Sequence, residues 1–570
     1  GPRAVNGDAA TTTARPVATA DSSHSLEDAP GTATTTFAAR AAAIWDRVER
    51  FLVYAGDWLN PILVKETRQA LKSFQFTITF VLLLVACWGA TIGGVAWIGP
   101  RVFYSADGAQ LLWWYYIVLA FPLLVVVPYA AFRSLAAERE DNTYELLSIT
   151  TLKPRQIISG KLGSSVVQMA VYFSAITPCI AFTYLLRGVD VPTIAVLVTY
   201  TFFWSLGLSM VGILLATVSH QRVTQVFASV ALVAFLLWMF SLSLVMAGVL
   251  TQYGYSFVSV SGFWITGSAI ATVYVTFFAL AFFAAAGMIT FTSDNRSTPL
   301  RLCMLVQQAA LVGWMAFGWI HDKFELEGIA YLASVAAVYW FVMGTFLTAE
   351  RPGMSQRVKR RLPSSFLGRV FFSWLNPGPA SGYMFVVANA TAIVWMCLLG
   401  MWVSGLSGNG PGPWPAGEDL FYLLPIGWGY MVAYLGLGML VVAALRRVAV
   451  VTMLASVLIH FLVLLAGSGI PTAIQLMSVE LRYVEYSLLQ ITNPIWSLKH
   501  LADGGAPPER DVLILLVPTV AFCMLLLNLR GVVRELQAVR ISPPTRVLED
   551  EAALHPAPPP QPANPWDEQA

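Results

Sequence analysis

Residues 75–98 of the chain read QFTITFVLLLVACWGATIGGVAWI and contain no charged side chain. A run of about 20 apolar residues is long enough to cross the hydrocarbon core of a bilayer as a helix. Because the backbone polar groups of a spanning segment must bond to one another, a helix is the form expected here. The sequence therefore predicts a first transmembrane helix at this position.

Further apolar runs of the same kind follow along the chain. We predict spans near 75–98, 111–132, 162–186, 192–218, 223–250, 263–291, 302–320, 328–348, 381–403, 420–445, 448–470 and 511–530. Only 12% of the 570 residues are charged and the mean hydropathy is +0.66, whereas soluble domains carry about 25% charged residues. The predicted fold class is all-α, a polytopic transmembrane bundle of about twelve spans in the cell (inner or cytoplasmic) membrane.

Lys and Arg residues are distributed unevenly between the two sides of these spans. With the N-terminus placed in the cytoplasm, 28 of the 34 Lys and Arg residues fall on the cytoplasmic side. Cytoplasmic loops of membrane proteins carry such an excess, so both termini are predicted to be cytoplasmic. The net charge of +2 gives no reason to expect nucleic acid as a partner. The Cys and His residues form no pattern of metal ligands, so no metal site is predicted.

Composition also predicts how the chain is divided. We expect a disordered N-terminal segment (1–39), an amphipathic interfacial helix (40–59), a six-span core (60–291) with a charged loop at 133–161, a second six-span region (292–530) and a disordered, Pro-rich tail (531–570).

The segment 40–59 places apolar and charged side chains on opposite faces of a helix. Trp45 and Phe51 belong to the apolar face, and Arg47 and Arg50 to the charged face. Such a helix is too polar to span and is expected to lie in the cytoplasmic interface as a membrane anchor. A further role in docking a cytoplasmic partner is the alternative.

The loop at 133–161 is the most informative hydrophilic segment. It contains AEREDNTYELL at 137–147 and LKPRQIISGK at 152–161, and Pro154 is expected to end the helix before it. A charged helical hairpin with a small apolar tip is typical of a surface that receives a cytosolic protein, because a merely solvated loop has no need of Leu146 and Leu147.

These two strings resemble the signature loop of type-2 ABC transporter permeases. The family pattern is Glu-x-Glu-x-Gly-Thr-x-Glu-x-Leu-Leu, followed by Thr-Pro and a basic stretch that ends in Gly-Lys. Supporting marks are NPILVKE at 60–66 and Gly-Leu-Ser at 207–209, so the resemblance covers roughly 40–291. Two departures are Asn142 in place of Gly and Leu152 after Thr151 where Thr-Pro is usual. Asn tolerates the left-handed conformation well, so the first departure is mild.

The resemblance implies a membrane-spanning permease subunit, an exporter, that pairs with a second permease (itself or another chain) and with two copies of a cytosolic ABC ATPase. By that resemblance, 40–59 is the connecting helix and 138–158 the coupling helix. The implied ATPase-coupling residues are Glu138, Arg139, Glu140, Thr143, Glu145, Leu146, Leu147, Lys153 and Arg155.

The chain lacks the phosphate-binding motif Gly-x-x-x-x-Gly-Lys-Ser/Thr. Its sole Gly-Lys pair, Gly160-Lys161, is followed by Leu162. The chain is therefore not expected to be an enzyme or to bind a cofactor directly, and ATP and Mg would be bound by the partner ATPase. A non-transporting membrane scaffold, in which the loop recruits a cytosolic protein, is the alternative function.

Polar side chains inside spans are costly and are candidates for function. Gln168, Asn389 and His460 are the ones we single out. For His460 the alternatives are an interhelical hydrogen bond and a proton relay. No Asp or Glu lies in the apolar interior of a predicted span, which disfavours a proton- or sodium-coupled carrier.

The second six-span region contains two short echoes of the first. Trp58-Leu59-Asn60-Pro61 recurs at 374–377, and Ala137-Glu138-Arg139 recurs at 349–351. Since they imply different alignments, they cannot both mark one duplication, and a degenerate repeat stays a possibility. The basic run 351–361 is expected to attract anionic membrane lipids, with a second ATPase contact as the alternative. The sequence does not indicate the substrate.

Overall fold

A computed structural model describes residues 60–100, 108–140, 152–186, 188–219, 221–253, 260–291, 294–321, 326–351, 374–406, 418–478, 486–503, 507–538 and 545–554, and the single positions 355, 358 and 365. Residues 62–570 form one compact unit, and the other unit is 1–61. The predicted segments 1–39 and 40–59, with Trp45, Arg47, Arg50 and Phe51, lie outside the described residues.

The described helices are named here in chain order. They are α1 (Pro61–Leu71), α2 (Phe74–Ile98), α3 (Gly108–Phe121), a π-helix (Pro122–Val126), α4 (Val127–Glu140), α5 (Pro154–Leu185), α6 (Val191–Val218), α7 (Arg222–Tyr253), α8 (Ser261–Ile289), α9 (Ser297–Ile320), α10 (Leu326–Thr348), α11 (Pro379–Leu406), α12 (Glu418–Leu445), α13 (Met453–Met477), a 3-10 helix (Leu488–Thr492), α14 (Pro494–Ala502), α15 (Pro507–Ala538) and α16 (Thr545–Leu554).

Twelve helices in the described residues are long and apolar enough to cross a membrane, when α3, the π-helix and α4 are counted as one. The described residues contain no strand. The prediction of an all-α bundle with twelve spans is therefore confirmed. The outer faces carry large exposed apolar side chains such as Trp88 and Trp97, which lipid accommodates and water does not. The chain is a multi-pass membrane protein.

The spans fall into two halves with the same arrangement of neighbours. The first half comprises α2 to α8 and the second α9 to α15, with six spans each. In both halves the second span packs against the third, fourth and fifth spans. The third span also packs against the first, fourth and sixth spans, and the fourth span also packs against the fifth and sixth. The first two spans pack closely in the first half, whereas in the second half long side chains join them, with Trp340 Nε1 donating to Gln308 Oε1 at 2.9 Å.

One of the two sequence echoes matches this correspondence between the halves. Residues 137–139 lie at the end of the second span of the first half, and 349–351 directly follow the second span of the second half. The other echo does not match, because 374–377 precede a third span, whereas Asn60 directly precedes the short helix α1 and Pro61 is its first residue. The Glu-Arg pairs at 138–139 and 350–351 therefore occupy corresponding positions.

The second span contains a π-helix because two prolines interrupt its hydrogen bonding. Val127 N–H donates to the carbonyl of Pro122, five residues back. The next bond of that type would join residue 128 to Leu123, but Pro128 has no N–H. Ser205 Oγ on α6 instead donates to the free carbonyl of Leu123 at 2.5 Å. The neighbouring helix thus satisfies a backbone group that no water could reach in the bilayer.

Small residues let α6 lie directly against α4. Gly212 is buried in this contact, and a Cβ added there would be 2.8 Å from the carbonyl oxygen of Pro128. Close backbone approach at small residues is a common way for membrane helices to associate. Because the obstructing atom belongs to the backbone, neither helix can yield by rotating a side chain.

We expect Gly212→Val to destabilise the first half by about 1–3 kcal/mol, the usual cost of overpacking a core. The measurement is the midpoint temperature of thermal unfolding of the purified chain in detergent. Gly89→Val in α2 is the matched control, because a Cβ there meets no atom within 4 Å. An equal loss of stability in both variants would show that helix propensity, not the contact, sets the effect.

Some predicted boundaries are wrong. Pro154 begins α5, where its missing N–H and fixed φ are favourable, and the helix that it was expected to end lies outside the described residues. The tail predicted to be disordered from 531 is helical to Ala538 and again in α16, because Leu, Glu, Ala and Arg favour a helix between the prolines. The eleventh span, predicted at 448–470, is α13, and residues 446–452 form the turn before it.

Candidate functional site

The charged loop singled out in the sequence is shorter than predicted. Helix α4 continues to Glu140 and α5 begins at Pro154, so the connection is 141–153, of which 141–151 lie outside the described residues. Lys153 precedes α5, and its backbone N–H donates to Gln156 Oε1 at 2.9 Å. The structure therefore describes the two ends of this connection, and the candidate site is built from them.

Lys161, in the third turn of α5, is the centre of the site. Its side chain is 0% exposed, and its Nζ lies 3.2 Å from Glu66 Oε1 and 3.1 Å from Glu138 Oε2. Nζ also donates to the carbonyl oxygen of Ser134 at 3.3 Å. Two carboxylates and one carbonyl oxygen therefore surround the ammonium group. A buried cation is tolerated only when it is paired in this way.

Helix α1 reaches Lys161 because two glycines in α5 leave room for it. A Cβ at Gly160 would be 2.8 Å from the Ile62 side chain, and one at Gly163 would be 2.7 Å from the side chain of Leu63. With these residues in contact, Glu66 one turn later lies over Lys161. Lys65 adds a 3.5 Å pair with Glu138, but its side chain is 61% exposed, so this pair contributes little.

Arg139 ties the end of α4 to a different helix. One guanidinium nitrogen donates to the carbonyl of Thr217 at 2.9 Å and to that of Ser219 at 3.3 Å. These carbonyls belong to the C-terminal end of α6, where a cation also interacts favourably with the helix dipole. Adjacent residues of α4 therefore connect α1 and α5 on one side and α6 on the other. We call Lys161, Glu66, Glu138 and Arg139 the loop-root cluster.

The predicted coupling residues fall into three groups. Glu138 and Arg139 contact other helices of the chain itself, as described above. Glu140 is exposed, with Arg133 3.9 Å away, and the Arg155 guanidinium lies 4.7 Å from the centre of the Phe283 ring on α8. Lys153 is exposed. The remaining four, Thr143, Glu145, Leu146 and Leu147, lie outside the described residues.

The intramembrane polar candidates do not come together. Gln168 and Asn389 each donate to a carbonyl one turn back in their own helix, at 3.5 Å and 2.8 Å. His460 is buried, with Nδ1 2.8 Å from the carbonyl of Ser456 and Nε2 3.1 Å from Thr348 Oγ1 on α10. The interhelical hydrogen bond considered for His460 is present.

The second half contains its own buried ion pair at the corresponding end. Arg301 on α9 is 0% exposed and donates to Glu350 Oε2 at 2.8 Å. The same guanidinium donates to the carbonyls of Trp374 (2.8 Å) and Gly378 (3.1 Å). Glu350 also accepts the backbone N–H of Gly378 at 2.8 Å. The pair fixes the chain where it enters α11.

A second carboxylate completes this arrangement. Glu535 near the end of α15 accepts the backbone N–H groups of Ala380 (3.0 Å) and Ser381 (2.8 Å). These donors are unsatisfied at the first turn of any helix, and an anion is favoured there. Arg301, Glu350 and Glu535 thus hold the ends of α9, α10, α11 and α15 together.

Sequence reasoning did not identify Lys161, Glu66 or Arg301 as site residues. The sequence does contain a pattern that could have identified Lys161. This residue directly precedes an apolar run, and it lies between Gly160 and Gly163. Such spacing allows a second helix to approach and bury the ammonium group. Comparison of the chain with protein-family models, with curated proteins and with solved structures found no match.

Proposed function

We propose that the chain is the membrane-spanning permease subunit of an ABC transporter, an exporter, and that a separate cytosolic ATPase drives it through the connection 141–153. The resemblance of 137–161 to the permease signature supports this proposal. The observation that carries it is the loop-root cluster, because a connection built only to link two spans has no need of a buried Lys161 joining three helices.

The loop-root cluster connects the segment on which the proposed ATPase acts to helices of the first half. A displacement of the connection acts on the ends of α4 and α5. Lys161 passes that displacement to α1 through Glu66, and Arg139 passes it to α6. Coupling of this kind travels through packed and hydrogen-bonded elements that move together. Energy from ATP hydrolysis would then reposition four helices of the first half at once.

The docking test should avoid Glu138, because its carboxylate is bonded to buried Lys161 and its reversal would disrupt the fold. We expect Glu140→Lys combined with Glu145→Lys to reduce co-purification of the ATPase roughly tenfold, since reversed charges at a docking surface repel the partner. The measurement is affinity purification of the full chain from cells that contain its natural partners, followed by mass spectrometry for a protein with the phosphate-binding motif.

Glu549→Lys in α16 is the control, because it reverses an exposed carboxylate that is not part of the connection 141–153. This variant should co-purify the same amount of ATPase as the wild-type protein. If wild-type protein captures no such ATPase but captures another cytosolic protein that the double variant loses, the transporter proposal is wrong. The scaffold function would then be correct.

A further inference from the structure

The turn between α12 and α13 has a surface that the proposed function does not use. It consists of residues 446–452, between the fourth and fifth spans of the second half. Val448 is 90% exposed and Val450 is 92% exposed, and Arg447 beside them is also exposed. The turn therefore presents two apolar side chains directly beside an arginine.

Arg351 lies at the same end of the bundle. Arg446 NH2 donates to the carbonyl of Ala349 at 2.8 Å and NH1 to that of Glu350 at 3.1 Å, which holds the turn against the end of α10. Burial, and after it the positive charge of Arg351, lower the pKa of Arg446. Arg446 contacts the carbonyl of Glu350, the residue directly before Arg351, so the two positive charges lie at the same end of α10, and an anion beside them would be favoured.

The nearby carboxylates do not neutralise this charge. Glu350 is bonded to Arg301 and to the backbone of Gly378, and Glu535 to the first turn of α11. Within the described part of the chain, neither Arg351 nor Arg447 has a carboxylate in salt-bridge contact. In the sequence, the residues between Arg351 and Trp374 include five basic and no acidic side chains. This end of the second half therefore presents uncompensated positive charge.

The position of the turn relative to the bilayer determines which chemical groups contact it. Seven residues connect two spans, so the turn must lie at the surface of the bilayer. The groups present there are phospholipid headgroups, with acyl chains directly beneath them. Exposed valines suit the acyl region and arginines suit anionic phosphates. A soluble protein partner would explain the charge but not the two valines at this depth.

We propose that Arg351, Arg446, Arg447, Val448 and Val450 form a binding surface for anionic phospholipid headgroups. Within this surface, Arg351 occupies the position in the second half that corresponds to Arg139 of the loop-root cluster in the first. The two halves differ there, since Arg139 is followed by Glu140 whereas Arg351 is followed by Pro352. The lipid surface anchors the second half and does not depend on the proposed transport function.

Native mass spectrometry of the purified, delipidated full chain tests the proposal, with phosphatidylglycerol and phosphatidylcholine as the two probes. Wild-type protein should bind phosphatidylglycerol more tightly. Arg351→Gln combined with Arg447→Gln should weaken that binding about 25-fold, from about 1 kcal/mol for each basic residue near an anionic surface. Binding of phosphatidylcholine should not change. Arg446 is left intact because it holds the turn.

Arg222→Gln is the matched control. Arg222 is an exposed arginine at the turn between the fourth and fifth spans of the first half, and its removal should leave both lipid affinities unchanged. Val448→Ser combined with Val450→Ser should weaken the binding of both lipids to the same extent. The proposal is overturned if wild-type protein does not distinguish the lipids, or if the double arginine variant binds phosphatidylglycerol normally. If affinity purification from cells shows that the double arginine variant loses a bound protein while its lipid binding stays intact, the surface belongs to that protein instead.

Discussion

Replacing Lys161 by Met is expected to destabilise the folded chain by about 3–5 kcal/mol, the usual cost of removing one partner from a buried ion pair. Two carboxylates, Glu66 and Glu138, share this ammonium group. Without it they face each other in a poorly solvated site and repel. The thermal unfolding midpoint of the purified chain in detergent measures the loss.

A rescue variant separates charge from packing at this site. When Glu66→Gln and Glu138→Gln are added to Lys161→Met, no uncompensated charge remains, so most of the lost stability should return. Lys153→Met removes an exposed lysine from the same segment and should have little effect. If the triple variant is no more stable than the single one, then the shape of the lysine side chain, and not its charge, holds the three helices together.

Arg301→Met is expected to have an effect of similar size, about 3–5 kcal/mol. It leaves Glu350 without its cation and removes the donors from the carbonyls of Trp374 and Gly378. Because these groups are spread around a planar guanidinium, Arg301→Lys should recover only a minor part of the stability.

Limited proteolysis checks where the damage falls, since the carbonyls that lose their donors lie just before α11. We expect new cleavage near residues 374–378 in Arg301→Met, together with a lower unfolding midpoint. Arg534→Gln, which removes an exposed arginine from α15, is the control and should cleave like the wild type. Full protection of 374–378 in Arg301→Met would mean that Glu350 alone fixes this segment.

The number of spans could be predicted from the sequence because length and apolar composition decide whether a segment can cross a bilayer. Helix ends were harder to place. The charged residues at 138–140 are typical of a loop. Helix α4 nevertheless continues through them, because its end packs against α1, α5 and α6. That packing depends on tertiary contacts, which a local pattern does not contain.

The candidate site could be predicted only in outline. The sequence indicated the charged segment, but the prediction placed Glu138 and Arg139 in contact with a partner ATPase. The actual contacts of these two residues are with residues far away in the chain: Glu138 with Lys161, and Arg139 with Thr217. Spacing rules cover neighbours three or four residues apart, and they do not reach pairs of this kind.

The π-helix at Pro122–Val126 gives the second span one residue more than a regular α-helix would hold over the same length. Each residue turns an α-helix by about 100° about its axis. The extra residue therefore sets the angular phase of everything after it in that span. Without it, Glu138 would point about 100° away from Lys161, and Arg139 would miss the end of α6. Two prolines in the membrane interior thus determine which way the charged end of the helix faces.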